Sequence, residues 1–111
     1  MTATTDTKTT IAGFNLGDII IHRVHNFRGV IVDVDADFQG SDDWYDQNTT
    51  NEPSKTAPWY HVLIDEEGAM AYVSEQNIYT DSSNQEIENP MIDDMFENYE
   101  SGHYLPRQTI N

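Results

Sequence analysis

Two apolar runs in the first two thirds of the chain constrain its fold most. The first covers positions 18–35 and the second covers positions 57–65. Within the first run, Val30, Val32 and Val34 alternate with Asp33 and Asp35. A period of two places successive side chains on opposite faces of a strand, one in the core and one in water. The pattern therefore predicts a β-sheet in which the three valines share the buried face.

Turn residues divide the apolar sequence into five short predicted strands. Their ranges are about 18–24, 27–37, 59–64, 69–73 and 77–80. Asn26 suits the left-handed backbone of the first turn, and Gly29 is the predicted site of a kink or bulge. Short strands with tight turns are typical of a mainly β fold, here a small five-stranded SH3-like barrel whose closure removes exposed sheet edges.

The 111 residues are enough for one domain with one core. We expect residues 1–13 to be a disordered leader, 14–80 to be the barrel domain with a long polar loop at 38–56, and 81–111 to be an acidic tail. In the tail, Asn89 is the predicted N-cap of a short amphipathic helix that reaches about Tyr99. Its apolar stripe must dock on its own barrel, on another subunit or on a partner.

Charge narrows the classes of partner. The chain has 20 acidic and 5 basic residues and a net charge of −15, and 18 of the acids follow position 32. Proteins that bind a duplex through about 6–10 phosphate contacts need a matching set of cations, so DNA binding is doubtful, and membranes are disfavoured too. The residues that would serve a DNA interface are Arg23, Arg28 and Lys55. The residues of the predicted acidic patches, which would attract basic proteins, are Asp33, Asp35, Asp37, Asp42, Asp43, Asp93 and Asp94.

No motif for metal binding or catalysis is apparent in the sequence. The chain has no cysteine, and an EF-hand-like loop that begins at Asp33 would have Phe38 where glycine is needed and Trp44 where glutamate is needed. The histidines have no recognisable ligand spacing or catalytic order. We therefore expect no metal, no cofactor and no enzymatic activity, and, because residues 1–12 lack the apolar segment of a signal peptide, a cytoplasmic location.

Large side chains in the third strand raise the question of what covers them. Trp59 and Tyr60 point to opposite faces, so if Tyr60 is interior, Trp59 and Leu63 need cover from the loop, the tail or a second subunit. The residues assigned to a partner or subunit contact are Trp59, His61, Leu63, Met91, Ile92, Met95 and Phe96. We also hypothesise that protonation of His61 switches an oligomer contact with pH.

These residues carry a family resemblance over positions 14–80, with a weaker match at 90–93. The matching positions are Phe14, Gly17, His22, Phe27, Gly29 to Asp33, Asp35, Ala57 to Val62, Tyr72, Val73, Glu75 and Ile78. The pattern resembles the HspQ family, also called YccV-like or hemimethylated-DNA-binding-protein domains. One departure is Asn26 before Phe27, where similar proteins have glycine.

The resemblance implies a bacterial SH3-like barrel that forms a small homo-oligomer, a dimer or trimer, and acts without catalysis. Two roles are described for such proteins. One is a heat-shock-type adaptor that promotes proteolysis of client proteins by an ATP-dependent protease such as Lon. The other is binding of hemimethylated DNA at the replication origin. The negative charge favours the adaptor, and DNA binding is the alternative.

Overall fold

Five strands form one antiparallel sheet in the computed structural model, which describes residues 12–107. They are β1 (Ile19–His22), β2 (Arg28–Asp35), β3 (Trp59–Ile64), β4 (Met70–Ser74) and β5 (Ile78–Thr80), in the spatial order β4-β3-β2-β1-β5. The mainly β class and the five strands are confirmed. The predicted closure is not observed, because the two edge strands, β4 and β5, do not pair with each other. A 3-10 turn at Glu75–Asn77 carries the chain from β4 to the three-residue β5, which pairs with β1. The outer edge of β4 therefore has no neighbouring strand in the described part of the chain.

The sheet is buried on both faces. One face packs Ile20, Ile31, Tyr60, Val62, Val73 and Ile78 together. The other packs Ile19, Val30 and Leu63 against residues of the tail. This explains why β1 is apolar at consecutive positions: Ile19 and Ile20 point to opposite faces and both are buried.

A bulge in β2 interrupts the predicted alternation of buried and exposed side chains. Ile31 pairs with Val62 and Asp33 with His61, so Val32 is the extra residue. One extra residue reverses the phase of all side chains after it. As a result Val32 packs on the tail-facing side of the sheet and Val34 on the opposite side, and the three valines do not share one face.

Gly29 is not the site of the bulge. Close packing against β3 explains why this position holds a glycine. A Cβ at this position would lie 2.4 Å from Val62 Cγ1 and 2.6 Å from the carbonyl oxygen of Leu63. Because the oxygen belongs to the neighbouring strand, Gly29→Ala is expected to lower the free energy of unfolding by about 1–3 kcal/mol.

Urea unfolding measures this change, and Gly68→Ala is the matched control. A Cβ at Gly68 would meet only Pro90, at an ordinary 3.7 Å. Its effect should stay within about 0.5 kcal/mol of zero. Equal effects of the two substitutions would contradict the close-packing explanation for Gly29.

The predicted loop at 38–56 contains a helix, α1 (Asp42–Asn48). Ser41 caps it by accepting a hydrogen bond from the Trp44 amide at 3.0 Å, and Asp42 and Asp43 lie in its first turn. Carboxylates at that end are favourable beside the exposed amides of a helix N-terminus. The segment predicted as a long polar loop therefore contains a seven-residue helix.

The tail folds differently from the prediction. The helix, α2 (Ile92–Met95), lasts four residues, and the chain continues as β6 (Phe96–Glu100), which pairs with β7 (His103–Pro106). Gly102 has a φ of 88° and lies in the turn of this hairpin rather than at a helix end. The N-cap position of α2 is Met91, and Asn89 caps the turn that leads into it, because its Oδ1 accepts a hydrogen bond from the Met91 amide at 2.9 Å. Its Nδ2 also donates to the carbonyls of Ile64, Glu67 and Ala69, which holds the tail on the β3–β4 turn.

Two further points concern the predicted leader at 1–13 and helices that could span a membrane. Most of the predicted leader at 1–13 lies outside the described residues. Among residues 12–107, no helix has the length and apolarity needed to cross a membrane.

Candidate functional site

Trp59 of β3 is the centre of an aromatic cluster that also draws on the 38–56 segment and β4. Phe38, Trp44 and Tyr45 come from the 38–56 segment, and Tyr72 comes from β4. Ring centroids of Phe38 and Tyr72 lie 4.8 and 5.2 Å from that of Trp59. The indole Nε1 donates to the carbonyl of Ser54 at 2.9 Å. Only 1% of Trp59 is exposed, so the loop provides its cover, and its assignment to a partner contact is corrected.

Leu63 and the tail residues form the other covered surface. Leu63 is fully buried against Phe96 and Tyr104 of the tail hairpin, and Met91 and Ile92 pack on the same cluster. Docking on its own sheet therefore accounts for this part of the tail stripe. Met95 stays exposed. The contact role predicted for Leu63 and Phe96 is wrong because both side chains face the protein's own core.

A cleft of about 440 Å³ lies at the edge of β4. The residues that line it come from the β1–β2 turn, α1, β3 and β4; they are His22, His25, Phe27, Trp44, Asn48, His61, Met70, Ala71, Tyr72 and Val73. His22 and His61 both line this cleft. Clefts that combine aromatic walls with a few polar groups are the usual form of a binding site.

His22 is held in its neutral form at one wall of the cleft. Its Nδ1 accepts hydrogen bonds from the amides of Val24 and His25, each at 3.0 Å. Burial, and secondarily the nearby His25, lower the pKa of His22 to about 4. With Nδ1 an acceptor, the ring proton resides on Nε2.

His61 and Tyr72, which also line the cleft, share one carboxylate. His61 Nε2 lies 3.2 Å from Asp35 Oδ2, and the Tyr72 hydroxyl donates to the same oxygen at 2.6 Å. Burial raises the pKa of Tyr72 to about 12, and the hydrogen bond to Asp35 adds to the effect. Of the residues assigned to a contact, His61 is one that lines the cleft.

The predicted acidic patches have different local roles. Asp33 and Asp37 are exposed, whereas Asp35 is tied to Tyr72 and His61. Asp42 and Asp43 begin α1, and Asp93 and Asp94 lie in the first turn of α2. The acidic residues of β2 approach the cleft through Asp35, which binds the lining residue Tyr72. Those of α1 approach it through Trp44, which also lines the cleft.

The cations assigned to a DNA interface are largely used inside the protein. Arg28 pairs with Asp65 and Asp81, each at 2.7 Å, and Lys55 pairs with Asp42 at 3.0 Å. Lys55 also lies 4.4 Å above the ring of Tyr45. Arg23 makes no ion pair within residues 12–107, and its Nε donates to the carbonyl of Gln76. These contacts do not assemble a basic patch from the three residues.

No group of three or more histidine, aspartate or glutamate side chains arranged to hold a metal ion is found among residues 12–107. The prediction of no metal or cofactor stays a prediction. The cleft offers hydrogen-bond donors and acceptors on aromatic walls, an arrangement suited to binding.

Comparison with known families decides the classification. The family model described as hemimethylated DNA-binding protein YccV like matches residues 12–103. The chain belongs to the YccV-like family. The match extends the resemblance seen at 14–80 through β6 to the first residue of β7, as expected if the tail that covers Leu63 is part of the domain.

Sequence reasoning missed the cleft and most of the aromatic cluster. Ser41 followed by two aspartates is a helix-start signal that could have revealed α1 and so placed Trp44 near the sheet. No local signal could have shown that α1 packs beside β4, because the contact joins residues about 30 positions apart.

Proposed function

We propose that this YccV-like protein is a non-enzymatic adaptor that promotes proteolysis of client proteins by an ATP-dependent protease. The proposal is carried by the distribution of charge. The chain has a net charge of −15; Arg28 is held in a partly buried pair of salt bridges, and Lys55 pairs with Asp42 at the surface. Such a surface attracts basic polypeptides and repels polyphosphates.

Binding of hemimethylated DNA is the second candidate, and the description of the matching family favours it. A DNA interface would need several cations on one surface, since affinity for a duplex comes largely from phosphate contacts. The contacts of Arg23, Arg28 and Lys55 count against such a surface. A homo-oligomer, a heat-shock role and a cytoplasmic location remain predictions from the resemblance and the sequence.

Parallel assays distinguish the two candidates. Purified protein is added to an ATP-dependent protease such as Lon with a basic client, and to unmethylated, hemimethylated and fully methylated duplexes at about 0.15 M salt. We expect the client to be degraded several times faster than without the protein. The electrophoretic mobility of all three duplexes should stay unchanged.

Omission of ATP and a strongly acidic client are the controls for the protease arm. Tight, salt-sensitive capture of the hemimethylated duplex with no change in degradation would reject the adaptor and support DNA binding. Unchanged degradation of basic clients, with DNA mobility also unchanged, would reject both proposals.

A further inference from the structure

The outer edge of β4 presents backbone groups that lack partners. The Ile64 amide donates to the Ala69 carbonyl, which sets the phase of the β3–β4 ladder. Hydrogen-bonded pairs alternate along an antiparallel ladder, so Ala71 and Val73 bond to β3 while Met70 and Tyr72 point their amides and carbonyls outward. No hydrogen bond within residues 12–107 reaches these outward backbone groups.

The cleft follows this edge. Its lining includes four consecutive residues, from Met70 to Val73. Successive side chains of a strand point to opposite faces, so a cleft that touches all four must run beside the strand rather than over one face. Met70 is 43% exposed there.

His22 adds a buried donor without an acceptor. The side chain is 93% buried, with a relative exposure of 7%, and it lines the cleft. Its Nδ1 is occupied by two backbone amides, whereas Nε2 has no acceptor among the described residues. A buried donor of this kind is costly unless it finds a partner.

The charges around the cleft select the occupant. No lysine or arginine lines it. Asp35 lies directly behind Tyr72 and His61. The helix α1, which contributes Trp44, carries Asp42, Asp43 and Asp46, of which Asp42 pairs with Lys55. A nucleic acid would find no cation here, and a second copy of the chain would bring another net charge of −15.

We propose that an extended, lysine- or arginine-rich peptide segment of a client protein binds as an added strand beside β4. Its backbone pairs with Met70 and Tyr72, one of its carbonyl oxygens accepts the His22 Nε2 proton, and an apolar side chain enters the cleft between Phe27 and Trp44. Strand addition of this kind draws affinity from backbone hydrogen bonds and specificity from side-chain pockets. The inference rests on the proposed adaptor function, since it identifies where a client would be held.

Fluorescence anisotropy with labelled peptides tests the inference on the full chain. The probe is a peptide of alternating lysine and valine. One control carries N-methyl groups on alternate backbone amides, and another replaces valine with serine at equal charge. We expect binding in the micromolar range, weakened at least about tenfold by N-methylation or by serine. Equal binding of all three peptides would show electrostatic attraction alone and would overturn the inference.

Two proline variants locate the site. Met70→Pro removes an outward amide and leaves the hydrogen bonds of Ala71 and Val73 to β3 in place, and it should weaken binding of the lysine–valine peptide at least about tenfold. Thr80→Pro is the matched control, because the bonds from Asp81 to Ile19 and from Arg23 to Asn77 show that Thr80 also points outward, on the opposite edge. The Met70→Val variant keeps the amide and should bind the lysine–valine peptide as tightly as the unaltered protein does. Equal weakening by both proline variants, or none by either, would contradict the assignment to β4.

The same variants separate this inference from the adaptor function. If Met70→Pro loses peptide binding and client degradation together, both are supported. If degradation is stimulated normally by a folded Met70→Pro protein, the adaptor stands and the β4 site is wrong. If Met70→Pro changes the molecular mass from oligomer to monomer, β4 is a subunit interface and the inference is also wrong. Should Met70→Pro fail to fold, the N-methylated peptide gives the decision on the unaltered protein.

Discussion

Replacement of Trp59 with alanine is expected to lower the free energy of unfolding by about 3–5 kcal/mol, the range for large aromatic residues removed from a core. The side chain is 1% exposed and lies within ring contact of Phe38 and Tyr72. Its Nε1 also holds the carbonyl of Ser54. Loss of the indole therefore leaves a cavity and releases the segment that covers it.

Urea unfolding measures the stability change, and limited trypsin digestion measures the release of the segment. Cleavage after Lys55 should become faster in Trp59→Ala than in the unaltered protein. Trp44→Ala is the matched control, because Trp44 belongs to the same cluster but is only half-buried. A loss below about 1 kcal/mol for Trp59→Ala, or one no larger than that for Trp44→Ala, would show that the cluster does not hold the loop.

The strands were predictable because their signals are local. Asn26 has a φ of 61°, as the first turn requires, and the boundaries of β3 match the apolar run that follows Pro58. Burial on both faces was also readable in β1, where consecutive isoleucines leave no polar face. Each of these signals involves residues within a few positions of one another, so no knowledge of packing is needed to read it.

The errors arise where tertiary contacts decide. Val34 kept the period of two in the sequence, but the bulge at Val32 moved it to the other face, and nothing in the local pattern marks the bulge. Phe96 and Tyr99 fit a helical stripe equally well, yet β6 pairs with β7 and buries Phe96 against Leu63. A four-residue helix followed by a hairpin can bury the same apolar residues that a longer helix would bury.

The candidate site was predicted only in fragments. His61 was assigned to a contact, but His22, Met70 and Trp44 were not assigned to the site. The open edge of β4 could not be foreseen, because whether a small sheet closes depends on the path of the chain between strands. Arg28 was assigned to DNA by charge alone, and only the structure reveals its two carboxylate partners.

Arg28 joins four parts of the protein through its guanidinium group. Nη1 donates to Asp65 after β3, Nε donates to Asp81 after β5, and Nη2 donates to the carbonyl of Gln85 at the start of the tail. The side chains of Asp65 and Asp81 are 13% and 7% exposed. Methionine in place of Arg28 would leave two poorly solvated carboxylates without a cation, and we expect a loss of about 3–5 kcal/mol near neutral pH.

The pH dependence of this loss follows from Asp81. Burial alone would raise its pKa, but hydrogen bonds from Arg28 and Ser83 outweigh burial and hold the pKa below the ordinary value of 3.8. In the unaltered protein this contribution is therefore present above about pH 4 and is lost as the pH falls through the lower folded value. In Arg28→Met only the hydrogen bonds from Ser83 oppose burial, so Asp81 takes up a proton at a higher pH than in the unaltered protein and is relieved of its unpaired charge. The stability difference between the two proteins should shrink as the pH is lowered from 7 toward 4.

Urea unfolding at several pH values between about 4 and 7 tests both parts of the prediction. Arg23→Met removes the same charge at an exposed position that makes no ion pair within the described residues, and it should cost no more than about 1 kcal/mol at any of these pH values. Arg28→Lys keeps the charge but cannot reproduce the fork of donors, so its loss should fall between those of the two methionine variants. If Arg28→Met and Arg23→Met lost equal stability at pH 7, the ion pairs of Arg28 would contribute no more to stability than an exposed surface charge. A difference for Arg28→Met that stayed constant down to pH 4 would mean that Asp81 does not depend on the guanidinium group for its charge.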